Sequence, residues 1–316
     1  MKRIWGLLFA CFSTWATAQN YPAKPIHLVV GYPPGGSGDF TTRIIGDELS
    51  RELGIAVIVE NKPGAGGSIA SEFVAKSAPD GYTILNQGNH AINKNLYKSL
   101  PYDFKDFAPI CRVALGTTIM VVASNSPFSN ARELIAFARA NPGKLFSASA
   151  GFGSAPHLAS AGFEAAAGVK FTTIQFKGGG PASQSLLAGD TQVMFATSPT
   201  VTGFIRGGRM RPLLVTLPRG SASIPGIPGS EQAGVPGFSS TFWFGLWAPA
   251  GTPPEIVRRL HAAAAKGLAK PEVRERIASQ GMDASPSASP EAFAAEIAAE
   301  VPGIEAAIRA SGAKVD

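Results

Sequence analysis

Cysteine is almost missing from this chain of 316 residues, which has two, Cys11 and Cys111. Cys11 falls in an N-terminal leader, so one thiol remains. An intramolecular disulfide and a cysteine-built metal cluster are therefore excluded. Cys111 lies in the apolar stretch APICRVALG, where a small buried core residue is the expected role and a nucleophile the alternative. Histidine is equally sparse: His27, His90, His157 and His261 are scattered without metal-ligand spacing. Charge is low as well, at 16% against 45% hydrophobic residues, the reverse of a disordered chain. No apolar run after the leader approaches the roughly 17–25 residues that span a bilayer. The formal charge of +6 and pI near 9.4 reflect few acids, 22 against 28 bases. The bases are dispersed, with Arg206, Arg209 and Arg211 the densest group, so a nucleic-acid partner is not expected.

Glycine and proline are plentiful, 36 and 25 residues, which implies many tight turns. At the N-terminus Lys2 and Arg3 precede an apolar run from Ile4 to Trp15, then the small-x-small site Ala16-Thr17-Ala18. That pattern reads as a cleaved secretory signal over residues 1–18, placing the mature protein in the periplasm. An uncleaved anchor or a lipid-modified Cys11 are the alternatives. Without Lys2 and Arg3, 26 bases face 22 acids, a charge of +4.

Length alone favours two domains. Ile26 to Gly31 is a continuous apolar run of the buried parallel-strand type, followed by a glycine loop and a helix whose apolar residues include Phe40, Ile44, Ile45 and Leu49. Strand, glycine loop and helix recur through Ile55–Val59, Asn61–Gly67 and Ser68. They recur again from Thr118 onward, with strands at Leu145–Ala150, Phe171–Phe176, Val193–Ala196 and Leu213–Thr216. The alternation predicts an α/β protein with parallel sheets. Phe242–Ala248 reads as a late strand, and the helices from Pro253 on need a sheet to cover. Two α/β lobes follow: 19–121 with 246–316, and 122–245, joined by crossings near Val121 and Leu246.

Two loops carry the chemistry. Tyr32–Asp39 (YPPGGSGD) and Gly151–His157 (GFGSAPH) each follow a strand, are rich in glycine and open a helix. Converging backbone N–H groups and a helix N-terminus hold an anion without a formal cation, and one loop per lobe makes a pincer. Ordinary turn-making is the plainer reading of either loop alone. Neither contains the GK[ST] of a phosphate-binding loop, and Ile69 stands where Gly64-Ala65-Gly66 would need a third dinucleotide glycine. Ser154 is not in a G-x-S-x-G elbow, so a secreted serine hydrolase is a rival and a non-enzyme the expectation. Gly35, Gly36, Ser37, Gly151, Gly153 and Ser154 are the expected carboxylate-holding positions. Asp39, Phe40, Gln87, His90 and Phe176 are expected to read the rest of the ligand, with Asp39 alternatively a helix N-cap. No metal or cofactor is expected.

YPAKPIHLVVGYPPGGSGD, VENKPGAGGSIA, APDGYTIL, LPYDFKDFAPI, GKLFSASAGFGSAPHLA, FKGGGPA and APAGTP occur in order along the mature chain. In these segments the chain resembles the Bug family, the extracytoplasmic solute-binding proteins of tripartite tricarboxylate transporters. The resemblance implies a type II periplasmic-binding-protein fold, two α/β lobes with a ligand cleft and two crossover strands. It implies a small organic carboxylate held by the loops matching Pro33–Asp39 and Gly151–Ser154 through backbone amides and ordered water. The implied partners are the membrane permease subunits of such a transporter, or a sensor kinase if the output is signalling. The chain departs from the family pattern at Phe176, where Tyr is usual, and at Ser185 and Gln192, where Asp is usual. It also lacks a Trp in the last helix, offering Val301-Pro302-Gly303-Ile304 instead.

Overall fold

The computed structural model describes residues 21–88 and 100–311. The leader at 1–18 and His90 lie outside the described residues. β1 (Ile26–Val30) leads into α1 (Ser37–Leu53), β2 (Val57–Asn61) into α2 (Ser68–Ala75), and β3 (Thr83–Gly88) follows. β4 (Phe107–Ala123) is 17 residues long. Then come α3 (Ala131–Ala140), β5 (Phe146–Ser149), α4 (Ala155–Ala167), β6 (Thr172–Gln175), α5 (Gly179–Ala188), β7 (Val193–Thr197), α6 (Ser198–Arg206) and β8 (Met210–Val215). β9 (Thr241–Pro249), α7 (Pro254–Leu268), α8 (Pro271–Ala278), β10 (Met282–Ala284) and α9 (Pro290–Ser311) complete the order.

Two half-sheets share β4. In the first, β2, β1 and β3 are parallel, β9 is antiparallel between β3 and β4, and β10 joins the middle of β4 at Ala114–Gly116. In the second, β6, β5 and β7 are parallel, and the end of β4 runs antiparallel to β7 on one side and β8 on the other. The two halves thus repeat one plan, three parallel strands bounded by an antiparallel one. β4 pairs with β9 through Thr117 and with β7 from Thr118, so the strand changes sheet there. The return crossing enters β9 at Thr241, opposite Thr117. The sequence expectation put the two crossings near Val121 and Leu246.

Thr216, at the end of β8, pins that junction. Its hydroxyl oxygen lies 2.8 Å from Thr117 Oγ1 and 3.0 Å from Thr118 Oγ1, and donates to the Ser240 carbonyl at 2.7 Å. All three threonines are buried, where unmet polar groups are costly, so the cluster holds both crossing strands to one point.

Each half has its own core. Leu28, Ile44, Ile45, Leu49 and Leu246 pack α1 and α7 on the first, while Phe163, Phe195, Leu134 and Phe238 fill the second. Phe293 of α9 meets Trp243 edge-on and Trp247 at a tilt, with centroids 5.3 Å from each, and full burial of such a ring contributes about 1.5–3 kcal/mol. Cys111 is fully buried in the first core, and burial pushes its thiol up to about 11, which removes it as a nucleophile.

Candidate ligand-binding cleft

Four helix N-termini meet between the two halves. α1 comes from the first half, α4, α5 and α6 from the second, and each begins where a parallel strand ends. The C-terminal ends of parallel strands are where open α/β sheets leave a crevice. The crevice here encloses about 130 Å³. Its polar rim includes Gly36, Ser37, Ser154, Thr197 and Thr200, and its wall is aromatic, formed by Tyr32, Phe242 and Phe244. Tyr32 meets Phe244 edge-on at 6.4 Å, and Phe242 meets Phe244 at 5.8 Å.

The α1 terminus is open. Its N-cap is Gly36 and no side chain caps it, so the first-turn amides have no partner within the helix, and Gly36 and Ser37 line the cleft. A Cβ on Gly38 would come within 2.7 Å of the Tyr32 ring and 3.3 Å of Phe244, so glycine there lets the helix start sit directly on the aromatic wall. Asp39 is in the first turn, not at the N-cap, and its carboxylate faces away from the cleft. It accepts from the Gly35 amide at 3.0 Å, from Arg43 Nε at 3.0 Å and from Asn61 Nδ2 at 3.0 Å, with a second Arg43 contact at 2.8 Å. Burial raises the Asp39 carboxyl, but Arg43, the Gly35 amide and Asn61 outweigh it and hold the group below its ordinary range. Asp39 therefore braces the loop, and the Gly35 amide is occupied by it; both depart from the roles read from sequence.

The α4 terminus is filled by its own residues. Ser154 is the N-cap and accepts from the His157 amide, while its hydroxyl donates to the Gly151 carbonyl at 2.7 Å. The Gly153 amide donates to His157 Nδ1 at 3.2 Å, so Gly153 is not available to a ligand as expected. Among the described residues no imidazole nitrogen bonds Ser154 Oγ; the His157 ring points at Gly153, and burial lowers its pKa, keeping it neutral and able to accept. Gly151 supplies the turn behind the rim, against the Phe176 carbonyl.

α5 and α6 were not singled out by sequence as cleft elements. Their N-caps, Gly178 and Thr197, make no side-chain cap. Gly178 has φ +116°, and a Cβ there would meet Pro33 at 2.8 Å, so this loop is one of the places where the second half touches the first. The glycine run in FKGGGP was the available signal, a third strand-to-helix glycine loop. Thr197, Thr200, Phe242 and Phe244 carry no local signal, since only the assembled fold brings them together.

Three other sequence candidates lie off the cleft. Phe40 packs its ring on the core of the first half. Gln87 is buried behind β1, where a Cβ on Gly67 would overlap its amide, and its carbonyl accepts from Trp247 Nε1 at 3.1 Å. Phe176 packs against the α5–α6 core, so the departure from Tyr falls on packing rather than on the cavity wall.

The fold and cleft define a two-lobed solute-binding protein of the type II periplasmic class. The profile described as the tripartite tricarboxylate transporter family receptor matches residues 41–309, and the chain belongs to that family. Protein BugT of Bordetella pertussis is 34% identical over 304 residues, covering 95% of this chain and 93% of its own length. Among solved structures, R. palustris Rpa4515 with adipate superposes with a TM-score of 0.89 at 30% identity, over 93% of this chain and 100% of that one. MatC from Rhodopseudomonas palustris with bound malate gives 0.85 at 27% identity, over 91% and 100%.

Proposed function

We propose that this chain is a periplasmic solute-binding protein that captures a small organic carboxylate between its lobes and presents it to the membrane permease of a tripartite tricarboxylate transporter. The observation that carries this reading is the convergence of four helix N-termini, three without a side-chain cap, on one enclosed crevice. Such an arrangement holds an anion through amide dipoles. The adipate and malate in the two similar structures agree with it. On this reading residues 1–18 are a cleaved signal, 21–117 with 241–311 form one lobe, and 118–240 form the other.

Gly36 and Ser37 grip the carboxylate from the first lobe, with Gly179 and Gly180 opposite them and Ser154 shaping the rim. Recognition is the whole chemistry, because neither Ser154 nor His157 is set up for acyl transfer. The test is a thermal-shift panel of mono-, di- and tricarboxylates against their neutral amides, on protein stripped of carried-over ligand. Acids should raise the melting temperature and amides should not. An unchanged melting temperature across the panel, together with no co-purified acid by native mass spectrometry, would defeat the reading.

A further inference from the structure

Asn86 lies in β3, opposite Val30 of β1 and Leu246 of β9. It is completely buried, and both N–H bonds of its side-chain amide go to α1. Nδ2 donates to Thr42 Oγ1 at 2.8 Å and to Thr41 Oγ1 at 3.1 Å. Those hydroxyls are buried too, and they pass the chain on. Thr42 Oγ1 donates to the Gly38 carbonyl at 2.6 Å, and Thr41 Oγ1 lies 3.0 Å from both the Ser37 and the Gly38 carbonyl oxygens. A hydroxyl has a single proton to give, and an incoming N–H occupies a lone pair of its oxygen. With Asn86 donating to both threonines, their protons point at the carbonyls of the helix start and not back at the strand. The arrangement has a cost, because Asn86 Oδ1 is buried and accepts nothing among the described residues. An apolar side chain would fill the same space without that penalty. What the asparagine adds is its two donors.

Ser37 and Gly38 belong to the first turn of α1, whose amides have no partner within the helix, and Ser37 lines the crevice. Each O–H···O=C bond draws electron density onto the carbonyl oxygen and makes the N–H at the other end of the same peptide a stronger donor. The effect adds to the helix dipole, whose positive end is this terminus. The relay also fixes position: Gly38 sits against Tyr32 and Phe244 of the aromatic wall, while the threonines hold its carbonyl. We infer that Asn86 is a positioning residue for ligand capture, which through Thr41 and Thr42 aligns and polarises the first turn of α1, where Ser37 grips the carboxylate. This role rests on the carboxylate reading above and deepens it.

The experiment is calorimetric titration of the mature protein, freed of ligand, with adipate and with malate, alongside the infrared carboxylate stretch of isotope-labelled adipate in the complex. Asn86→Leu removes the two donors, and the double variant Thr41→Val with Thr42→Val removes the hydroxyls they feed. Each should weaken both acids about fivefold, the scale of one net hydrogen bond. Each should also raise the frequency of the bound antisymmetric stretch, the mark of weaker hydrogen bonds to the carboxylate. Because the three side chains act in series, the triple variant should bind within about twofold of the double. Should Asn86→Leu not fold, Thr42→Val carries the same test from the helix side. A variant with a lower melting temperature but wild-type affinity or an unshifted stretch overturns the inference, since the side chains would then serve packing alone, and leaves the carboxylate reading standing. Losses that add in the triple variant overturn it as well. If neither acid binds wild type, the carboxylate reading fails first and this inference with it.

Discussion

The two glycine loops look alike in sequence and are built oppositely. In the first lobe the loop before α1 is braced from behind: Asp39, itself held by Arg43 and Asn61, accepts from the Gly35 amide, and the helix start has no side-chain cap. In the second lobe the loop before α4 turns its hydrogen bonds on itself through Ser154, His157 and the Gly151 carbonyl. The open terminus of that lobe is α5, one strand further along. Glycine content therefore marks a place where a ligand can approach. Whether the amides are available depends on side chains that bond to them.

The contrast can be broken at several points. The largest effect is expected from Gly178→Val, which combines a positive φ with a Cβ against Pro33 and so obstructs closure between the lobes. Carboxylate affinity should fall at least about tenfold, consistent with about 1–3 kcal/mol of overpacking, and small-angle scattering should show a more open particle in the presence of ligand. Asp39→Ala should come next. It leaves the Gly35 amide and Arg43 without their acceptor and should lower stability by about 1–3 kcal/mol in urea denaturation. Because the folded carboxyl lies below its ordinary value of 3.8, wild-type stability from this group is present above that pH and is lost as pH falls through the folded value. The Ala variant should lack that component of the acid transition.

Ser154→Ala removes the α4 cap and should cost about 1 kcal/mol, with only a modest loss of affinity and no ester turnover to lose. Thr216→Val tests the junction rather than the loops. It strips the hydroxyl from between the crossing strands and should destabilise by about 1 kcal/mol or more without changing the ligand profile. The smallest effect is His157→Gln. His157 has a folded pKa below 6.5, so protonation favours the unfolded chain and wild-type stability should decline as pH falls below 6.5. The Gln variant should flatten that decline between pH 7.5 and 5.5 in thermal melts, a range set about one unit to either side of the ordinary value.

Much of the architecture was readable because its strands are short apolar runs closed by glycine loops. β1 and β7 are fully or nearly fully buried and match the continuous-run pattern. β4 was read only from Thr118, although it starts at Phe107, because Pro109 and Arg112 interrupt the apolar run at the bulges where it slips register against β9. The sheet change at Thr117–Thr118 leaves no mark in the chain, since it is decided by which strands arrive on either side. In the crevice, Gly36, Ser37 and Ser154 belong to the glycine loops that the sequence marks. The bonds that Asp39 and Gly153 make were not legible, because a sequence cannot tell an amide facing a cleft from one facing a neighbouring side chain.

The central claim is that the open α1 terminus anchors the ligand while the α4 loop only shapes the rim. A crystal structure of the ligand-stripped protein soaked with adipate tests it most directly. The account predicts carboxylate oxygens about 2.7–3.2 Å from the Gly36 or Ser37 amides, with the Gly153 amide still on His157. A carboxylate held by the Gly151–Gly153 amides, with the α1 terminus empty, would contradict it.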